Sequence, residues 1–520
     1  MARFRVVTKH QVSGWRFLFR RIEHALVRRD ASMIDDPQRG RSTALAIGIA
    51  LACVAVAGSA VLSYFKPDKA VGNAKIVSDK DSGAVYVHLG GRLYPALNLT
   101  SARLIAGVPD APVPVTADEL GKYPRGPIVG IVGAPGTIAE GSQRDSTWAV
   151  CDAAQTGASA PVDQRTGLPT LAASDVLTTV IGTPLTIDGD ATRPLADGEA
   201  RLLRNGDANW LVYDSPDQGI VRASIDLADS AVMLAVGIDA SAEPLPASHG
   251  LINAIPEVPA LRVPKLAQAG ASTTLSNGLT VPIGSVLTMT APDRTVSYYV
   301  VTSAGVVRIT QVLAAMLRNA DSHGAVTTTT VGPDVIAANL RPGSLPGTQG
   351  YPARPLRLVD TGQFGVTCYG WSRTGSDANA VTKLVVGRRL PLRTDEQKSA
   401  TPLVTAPTSQ GRTADLAYMP LDTGRFVQVT GMDPASPRRE SLFWISDSGI
   451  RYGIQTDTDS TPGRTDPNLA ALALHDPIVA PWNIVSLFAV GPTLSQQDAR
   501  IQHDGVAPDK AAIGMSGGTS

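Results

Sequence analysis

The feature that most constrains this chain is a run without any charged side chain, from Ser42 to Phe65. As an α-helix, with a rise of about 1.5 Å per residue, this run would be roughly 36 Å long, which is enough to cross a hydrocarbon core of about 30 Å. A buried helix of a soluble domain, the first alternative, normally carries a polar stripe, and this run has none. We therefore predict one transmembrane helix at residues 43–65.

A cleaved signal peptide is the second alternative, because Ala57–Ala60 reads AGSA and resembles a small-residue cleavage site. The basic region ahead of it occupies residues 1–41, which is far longer than the basic region of a signal peptide. We therefore favour a retained signal anchor. No second uncharged stretch is long and apolar enough to span a bilayer, so we expect a single crossing.

Charge is distributed unevenly along the chain, although 46 Lys+Arg balance 46 Asp+Glu overall. Residues 1–41 contain ten basic and four acidic side chains, a net charge of 10 − 4 = +6, so the remaining residues sum to −6. Because basic residues stay on the cytoplasmic side of a membrane, we expect a cytoplasmic N-terminus and an external region of residues 66–520. We expect a membrane as a partner, and we expect no nucleic-acid partner.

The segment from His10 to Arg29 has the pattern of an amphipathic helix, with apolar residues at three- and four-residue steps. Such a helix lies on an anionic membrane surface, packs against a partner helix, or serves only as a basic tail that sets the topology. Since a charge tag needs no aromatic side chains, we favour partner docking. The predicted docking residues are Trp15, Arg16, Leu18, Phe19, Arg20, Ile22 and Leu26.

The three cysteines have different predicted environments. Cys53 lies within the predicted membrane helix and is best explained by packing. Cys151 and Cys368 both lie on the oxidising side, and two external cysteines without a third candidate suggest one disulfide. A metal site is a weak alternative, because the sequence has no C-x-x-C and no H-x-x-x-H pattern.

The external region repeats one pattern: a short aromatic or β-branched strand, a turn with glycine, a second strand, and an apolar helical stretch. Such a unit cannot bury its apolar face alone, so we expect units to pack on one another or on a shared core. Coincidence among β-rich segments is the alternative. The four copies begin at Ala84, Asn209, Ser297 and Ser441.

These patterns predict an α+β fold, with one N-terminal transmembrane helix followed by an elongated external domain of four β-hairpin/helix repeats around a mainly β central core. The predicted segments are 1–42 (cytoplasmic basic amphipathic segment), 43–65 (transmembrane helix), 66–78 (linker), 79–135 (repeat 1), 136–205 (core, first part), 206–265 (repeat 2), 275–340 (repeat 3), 341–440 (core, second part), 441–495 (repeat 4) and 496–520 (polar, disordered tail).

The sequence contains no recognisable catalytic or cofactor motif. Its Gly121–Lys122 pair lacks the leading glycine and the following Ser or Thr of a Walker A loop, and no H-E-x-x-H motif occurs. Acidic pairs are more typical of solvated carboxylates than of a metal site; they are Asp226/Asp229 and Asp457/Asp459. We therefore predict no catalytic residue, no metal and no cofactor, and no motif supports ATP binding.

Seven segments follow one another along the chain in a distinctive order. They are VTKHQVSGWRFLFRRIEHALVRRD, DSGAVYVHLGGRLYPALNLTSARLI, KYPRGPIVGIVGAP, SIDLADSAV, RNADSHG, ESLFWISDSGIRYGI and APWNIVSLFAVGPTLS. Together they resemble the EccB family, the single-pass membrane component of actinobacterial (mycobacterial) type VII, or ESX, secretion systems. The resemblance extends from about Val7 to about Asp504.

This resemblance implies a structural component of an inner (plasma) membrane complex with EccC, which is the motor ATPase, EccD and EccE. It implies that the basic N-terminal segment contacts the cytoplasmic assembly. It also implies a periplasmic domain of four repeats around a core with the disulfide Cys151–Cys368. The periplasmic domains of the family associate with other EccB copies and with the mycosin protease.

Two other functions stay open from the sequence. Some members of the family are described as ATPases, so a periplasmic nucleotide hydrolase is one alternative, although no motif here supports it. A cell-wall-binding module is the other, because repeated β-hairpin units are compatible with it. We favour a non-enzymatic scaffold that couples the cytoplasmic motor to a periplasmic channel.

Overall fold

The computed structural model of the protein describes residues 9–29, 38–64, 70–138, 144–154, 176–324, 326–375, 377–406, 409, 411–421, 424–456 and 466–506. The chain divides into two compact units, Met1–Ala70 and Val71–Ser520. The described helices are α1 (Lys9–Arg28), α2 (Gln38–Tyr64), α3 (Leu99–Ala106), α4 (Ala117–Leu120), α5 (Ser230–Val236), α6 (His249–Ala254), α7 (Gln311–Ala320), α8 (Pro333–Asn339), α9 (Thr394–Lys398), α10 (Pro467–Leu472), α11 (Trp482–Val485) and α12 (Gln496–Ala499).

The strands all belong to the second unit. They are β1 (Ile76–Asp79), β2 (Val85–Leu89), β3 (Arg92–Pro95), β4 (Val113–Val115), β5 (Ile128–Val129), β6 (Ser146–Ala154), β7 (Val176–Ile181), β8 (Thr192–Pro194), β9 (Glu199–Asn205), β10 (Ala208–Ser215), β11 (Gly219–Ile225), β12 (Leu245–Pro246), β13 (Glu257–Leu261), β14 (Ser272–Thr274), β15 (Thr280–Pro282), β16 (Val286–Thr290), β17 (Val296–Thr302), β18 (Gly305–Ile309), β19 (Thr329–Thr330), β20 (Arg357–Leu358), β21 (Val366–Arg373), β22 (Val381–Gly387), β23 (Thr401–Pro402), β24 (Leu416–Tyr418), β25 (Arg425–Thr430), β26 (Leu442–Ile445), β27 (Ile450–Ile454), β28 (Ile478–Pro481), β29 (Ala489–Val490) and β30 (Gln502–His503).

The described part of the first unit consists of α1 and α2. α1 covers most of the segment predicted to be an amphipathic helix, and α2 covers the uncharged run up to Tyr64. Phe65, the last residue of the predicted membrane helix, lies outside the described residues. Within the ranges given above, no helix combines the length and the apolarity needed to cross a membrane. The membrane span at residues 43–65 therefore stays a prediction.

Four sheets of the second unit share one order of elements. In each, three successive antiparallel strands are followed by a helix and then by a strand parallel to the first of the three. The helix is the crossover that parallel pairing requires. The four are sheet 1 (β1–β4 with α3), sheet 2 (β9–β13 with α5), sheet 3 (β16–β19 with α7) and sheet 4 (β25–β29 with α10).

Sheets 2 and 4 each have a fifth strand, and sheet 2 has a sixth, β20, which runs parallel to β9. β13 runs parallel to β11, and β29 runs parallel to β27. A second short helix precedes the fifth strand in both sheets: α6 leads into β13, and α11 leads into β29. Sheets 2 and 4 are therefore alike over seven successive elements.

Local sequence explains why these elements form. The turn between β2 and β3 places Gly90 and Gly91 at φ of 56° and 74°, a region that glycine enters without the steric cost of a Cβ atom. The helices that follow the strands begin at residues whose side-chain oxygen accepts a hydrogen bond from a backbone N–H, as N-caps do. These N-caps are Asn98, Asp229, Thr310 and Asp466.

The central sheet is assembled from two distant parts of the chain. Its strand order is β23-β24-β7-β6-β21-β22-β8. β6, β7 and β8 precede sheet 2 in the sequence, whereas the other four strands follow sheet 3. β6 and β21 are antiparallel neighbours, and their register places Trp148 opposite Trp371 and Cys151 opposite Cys368.

Shared hydrophobic cores join the sheets of the second unit. The central sheet packs with α6 and α11 in one cluster that contains Trp148, Tyr369 and Phe488. α5 of sheet 2 packs on α7 of sheet 3, and α3 of sheet 1 packs on α10 of sheet 4. Each of these helices therefore buries its apolar face against an element of another sheet, as layered packing requires.

The structure differs from the predicted segments at several boundaries. Sheet 2 begins with β9 and sheet 4 begins with β25, so the predicted boundaries at 206 and 441 fall inside single sheets. The predicted disordered tail at 496–520 starts too early, because α12 packs on α3 through the buried Ala499, and β30 pairs with β5. Residues 507–520 lie outside the described residues. The mixed α and β composition, with a mainly β second unit, agrees with the predicted α+β class.

Candidate functional site

α1 exposes an apolar face that nothing described in the first unit covers. Trp15 is 65% exposed and Phe19 is 63% exposed, and their ring centroids are 5.5 Å apart, because residues four apart in a helix are neighbours. Leu18, Ile22 and Leu26 are each more than half exposed on the same side. An apolar face of this kind is typical of a surface that binds another molecule.

Arginine side chains border this face. A shallow groove along α1 is lined by Val12, Trp15, Arg16, Phe19, Arg20 and Glu23. The structure therefore brings four of the seven predicted docking residues together in the groove, and Leu18, Ile22 and Leu26 lie outside it. Val12 and Glu23 were missed by the sequence analysis. Val12 lies three residues before Trp15, and Glu23 lies four residues after Phe19. This helical spacing could have indicated that both residues line the groove.

The predicted disulfide is present between Cys151 of β6 and Cys368 of β21. The two residues are direct register partners, and their Cα atoms are 4.0 Å apart. Both are fully buried, in a cluster that includes Ile181 and Tyr418. Because β6 and β21 come from distant parts of the sequence, the bond closes the centre of the sheet covalently.

A buried carboxylate, Asp152, follows Cys151 on β6. Its Oδ2 accepts a hydrogen bond from the backbone N–H of Ser248 at 2.6 Å, and its Oδ1 accepts hydrogen bonds from the hydroxyls of Ser248 at 2.8 Å and Thr178 at 2.9 Å. Burial raises the pKa of Asp152 to about 6, although these three hydrogen bonds favour the charged form.

Asp152 connects the central sheet to sheet 2, because Ser248 is the N-cap of α6. The Ser248 hydroxyl both donates to Asp152 and accepts from the backbone N–H of Leu251. The sequence analysis missed this contact. An acidic residue inside the otherwise apolar strand segment AVCDAA was the signal that could have indicated it.

The acidic pair that the structure describes, Asp226 and Asp229, makes local hydrogen bonds at the start of α5. Asp229 caps α5, and Asp226 accepts a hydrogen bond from a backbone N–H in the turn before that helix. Asp457 and Asp459 lie outside the described residues. Within the part of the chain that the structure covers, no group of three or more His, Cys, Asp or Glu side chains is placed to hold a metal ion.

Comparisons with known sequences identify relatives over nearly the full length of the chain. Residues 4–508 match the family described as "Type VII secretion system ESX-1, transport TM domain B". The ESX-3 secretion system ATPase EccB3 of Mycolicibacterium smegmatis is 39% identical over 515 residues, which are 98% of this chain and 93% of the relative. The ESX-1 secretion system ATPase EccB1 of Mycobacterium tuberculosis is 35% identical over 521 residues, 99% of each chain.

Solved structures agree with this match. A chain of an intact ESX-5 inner membrane complex superposes with a TM-score of 0.72 at 32% identity and 99% coverage of both chains. The EccB3 dimer from the ESX-3 core complex gives a TM-score of 0.68 at 36% identity, with 82% of this chain and 100% of that chain covered. By sequence and by fold, the chain belongs to the EccB family of type VII (ESX) secretion systems.

Proposed function

We propose that this chain is a structural core component of a type VII (ESX) protein-secretion complex, in which it couples the cytoplasmic motor assembly to a periplasmic channel scaffold. The observation that carries the proposal is the likeness, over 99% of both chains, to a chain of an intact ESX-5 inner membrane complex. The two chains are 32% identical. Because the likeness covers nearly the whole of both chains, it includes the N-terminal helices as well as the sheets.

In this proposal α2 anchors the protein in the inner membrane. The run from Ser42 to Phe65 has no charged residue, and its described aliphatic side chains, such as Leu45 and Leu51, are exposed in α2. Exposed apolar side chains around a whole helix are stable in lipid but not in water. The excess of basic residues in 1–41 favours a cytoplasmic N-terminus, with the second unit in the periplasm.

α1 would then be the cytoplasmic docking element. Its apolar face, with Trp15 and Phe19 at the centre and Arg16 and Arg20 alongside, suits a groove on a partner that is apolar within and acidic at its rim. EccC, EccD and EccE are the partners that the family assignment suggests. The second unit would supply four copies of one repeat around the central sheet, as a scaffold for other copies of the chain and for the mycosin protease.

The test is to delete residues 1–41 from the full-length protein, keep the uncharged part of α2 from Ser42 onward, and measure co-purification with EccC and EccD from membranes. We expect the truncated protein to reach the membrane but to lose both partners. The matched control replaces 1–41 with a shuffled segment of the same composition, so that the +6 charge remains and the apolar face is lost. Unchanged co-purification of the truncated protein, or full retention by the shuffled segment, would contradict the proposal.

ATP hydrolysis is the second candidate function. It is favoured by the names of the curated relatives, which carry the word ATPase, whereas this sequence has no Walker A loop. The measurement is ATP turnover by the purified full-length protein over successive purification steps. Turnover that follows the protein at constant specific activity, and that a single substitution removes, would establish the activity. Turnover that declines with purification would assign it to a contaminant.

A further inference from the structure

Two arginines occupy equivalent positions in sheets 2 and 4. Arg222 on β11 lies against the ring of Trp210, with its Cζ 4.2 Å from the ring centroid, and its Nε donates to the carbonyl oxygen of Ile255 at 3.0 Å. Arg451 on β27 lies 5.8 Å from the ring centroid of Phe443, and its Nε donates to the carbonyl oxygen of Phe488 at 3.2 Å.

The strand register shows that this equivalence is residue for residue. Trp210 is paired with the residue two positions after Arg222, and Phe443 is paired with the residue two positions after Arg451. The carbonyl acceptors likewise follow α6 and α11, two residues before the fifth-strand residue that lies opposite each arginine. Sheet 2 therefore provides an internal reference for the surroundings of Arg451.

The two sites differ at the fifth-strand residue. Opposite Arg222 stands Glu257, whose carboxylate forms an ion pair with the guanidinium at 2.9 Å. Opposite Arg451 stands Val490, and among the described residues no carboxylate lies within ion-pair distance of Arg451. Burial lowers the pKa of Arg451 and no acidic neighbour in the described part of the chain opposes this effect, whereas Glu257 does so for Arg222.

The surroundings of Arg451 are also apolar and open. Trp482, the first residue of α11, stacks on Phe443 with ring centroids 5.5 Å apart and an interplanar angle of 25°. The guanidinium lies 5.0 Å from the centroid of the Trp482 ring. Trp482 is 40% exposed and Val490 is 67% exposed. Sheet 4 thus combines a half-buried cation without its counter-ion with two exposed apolar side chains, a composition typical of an interface hot spot.

We propose that the surface formed by Phe443, Arg451, Trp482 and Val490 docks a different protein that presents an aspartate or glutamate beside an apolar side chain. The incoming carboxylate takes the place that Glu257 holds in sheet 2, and the apolar side chain packs on Trp482 and Val490. A two-fold contact between copies of this chain centred on this surface would bring two Arg451 guanidinium groups together. Two-fold self-association through this surface is therefore disfavoured. This surface is separate from α1, and the inference goes beyond the proposed coupling function.

The test uses the full-length protein in cells that contain the whole secretion system. Trp482 is replaced with the photo-crosslinking residue p-benzoylphenylalanine, whose aromatic ring keeps the stack on Phe443. We expect irradiation to give a crosslink to one protein other than this chain, at a peptide that contains an acidic residue. Replacement of that acidic residue with lysine should reduce the crosslink about tenfold or more, because a close interfacial charge pair would be lost.

Val490 provides the matched controls. Val490→Glu supplies the carboxylate within the chain, so the crosslink should also fall about tenfold, whereas Val490→Gln should lower it less than threefold. Melting temperatures of both variants should match the parent, which separates docking from folding. Equal losses for Glu and Gln, no loss for Glu, no crosslink, or a crosslink only to a second copy or to peptidoglycan would each overturn the proposal. Co-purification through residues 1–41, measured in the same membranes, reports separately on the coupling function.

Discussion

The buried disulfide should make a large and measurable contribution to the stability of the second unit. The perturbation is the double variant Cys151→Ala/Cys368→Ala in the full-length protein. The bond joins residues 217 positions apart, so the chain-entropy relation predicts that it raises the free energy of unfolding by about 5 kcal/mol. Since a folded domain is stable by roughly 5–15 kcal/mol in total, this is a substantial fraction.

The assay is urea unfolding followed by tryptophan fluorescence. Trp148 and Trp371 face each other three residues from the disulfide and are 1% and 2% exposed, so their emission reports on this part of the sheet. With a denaturant slope of about 3 kcal/mol per molar urea, the midpoint should fall by roughly 1.5 M. Cys53→Ala, which removes the free cysteine in α2, is the control and should leave the midpoint unchanged.

Reduction provides an independent check of the same bond. Because Cys151 and Cys368 are fully buried, dithiothreitol should leave the bond intact under native conditions and should cleave it once urea opens the sheet. Alkylation followed by mass spectrometry counts the thiols in each case. Equal midpoints for the double variant and the control, or ready reduction of the native protein, would refute the reasoning.

Three further outcomes follow from buried contacts in the second unit. Burial raises the pKa of Asp152 to about 6 from an ordinary 3.8, so protonation of Asp152 favours the folded state. The free energy of unfolding should therefore fall by about 2 kcal/mol as the pH rises from 4 to 7, and Asp152→Asn should remove this dependence in denaturant titrations. Gly424→Ala should cost about 1–3 kcal/mol, because its Cβ would overlap the Trp444 ring, whereas Gly136→Ala, with open space around it, should be neutral in thermal unfolding. Glu257→Gln should lower the melting temperature measurably, since it leaves the buried Arg222 without its counter-ion.

Local signals in the sequence were sufficient to predict the hairpins and the amphipathic helix α1. Glycines such as Gly90 and Gly219 lie in turns between β-branched strands, and they occupy positive φ in the structure. The three- and four-residue spacing of Trp15, Leu18 and Phe19 likewise predicted the apolar face of α1. These features depend on neighbours within a few residues, which a sequence displays directly.

The remaining features of the fold could not be predicted where they depend on pairing between residues that are far apart in the sequence. β9 and β25 are the first strands of their sheets, and each pairs with a strand that returns only after the crossover helix. A hairpin pattern contains no information on that partner, and both strands were assigned to the central core. β9 also pairs with β10 across the turn that contains Asn205 and Gly206, a local signal that was overlooked. The contact between Asp152 and Ser248 joins residues 96 positions apart, so the sequence could indicate a buried carboxylate at Asp152 but could not identify its partner.

The docking role of α1 is tested most directly by two phenylalanines on opposite sides of the helix. Phe19 lies in the groove beside Trp15, whereas Phe17 is 55% exposed and lies outside the groove. The measurement is the amount of EccC that co-purifies with full-length protein carrying Phe19→Ala or Phe17→Ala. Loss of one central aromatic contact at about 2 kcal/mol should weaken the Phe19→Ala complex roughly 30-fold. Phe17→Ala should stay within about twofold of the parent, and equal losses for the two variants, or none for Phe19→Ala, would contradict docking through this face.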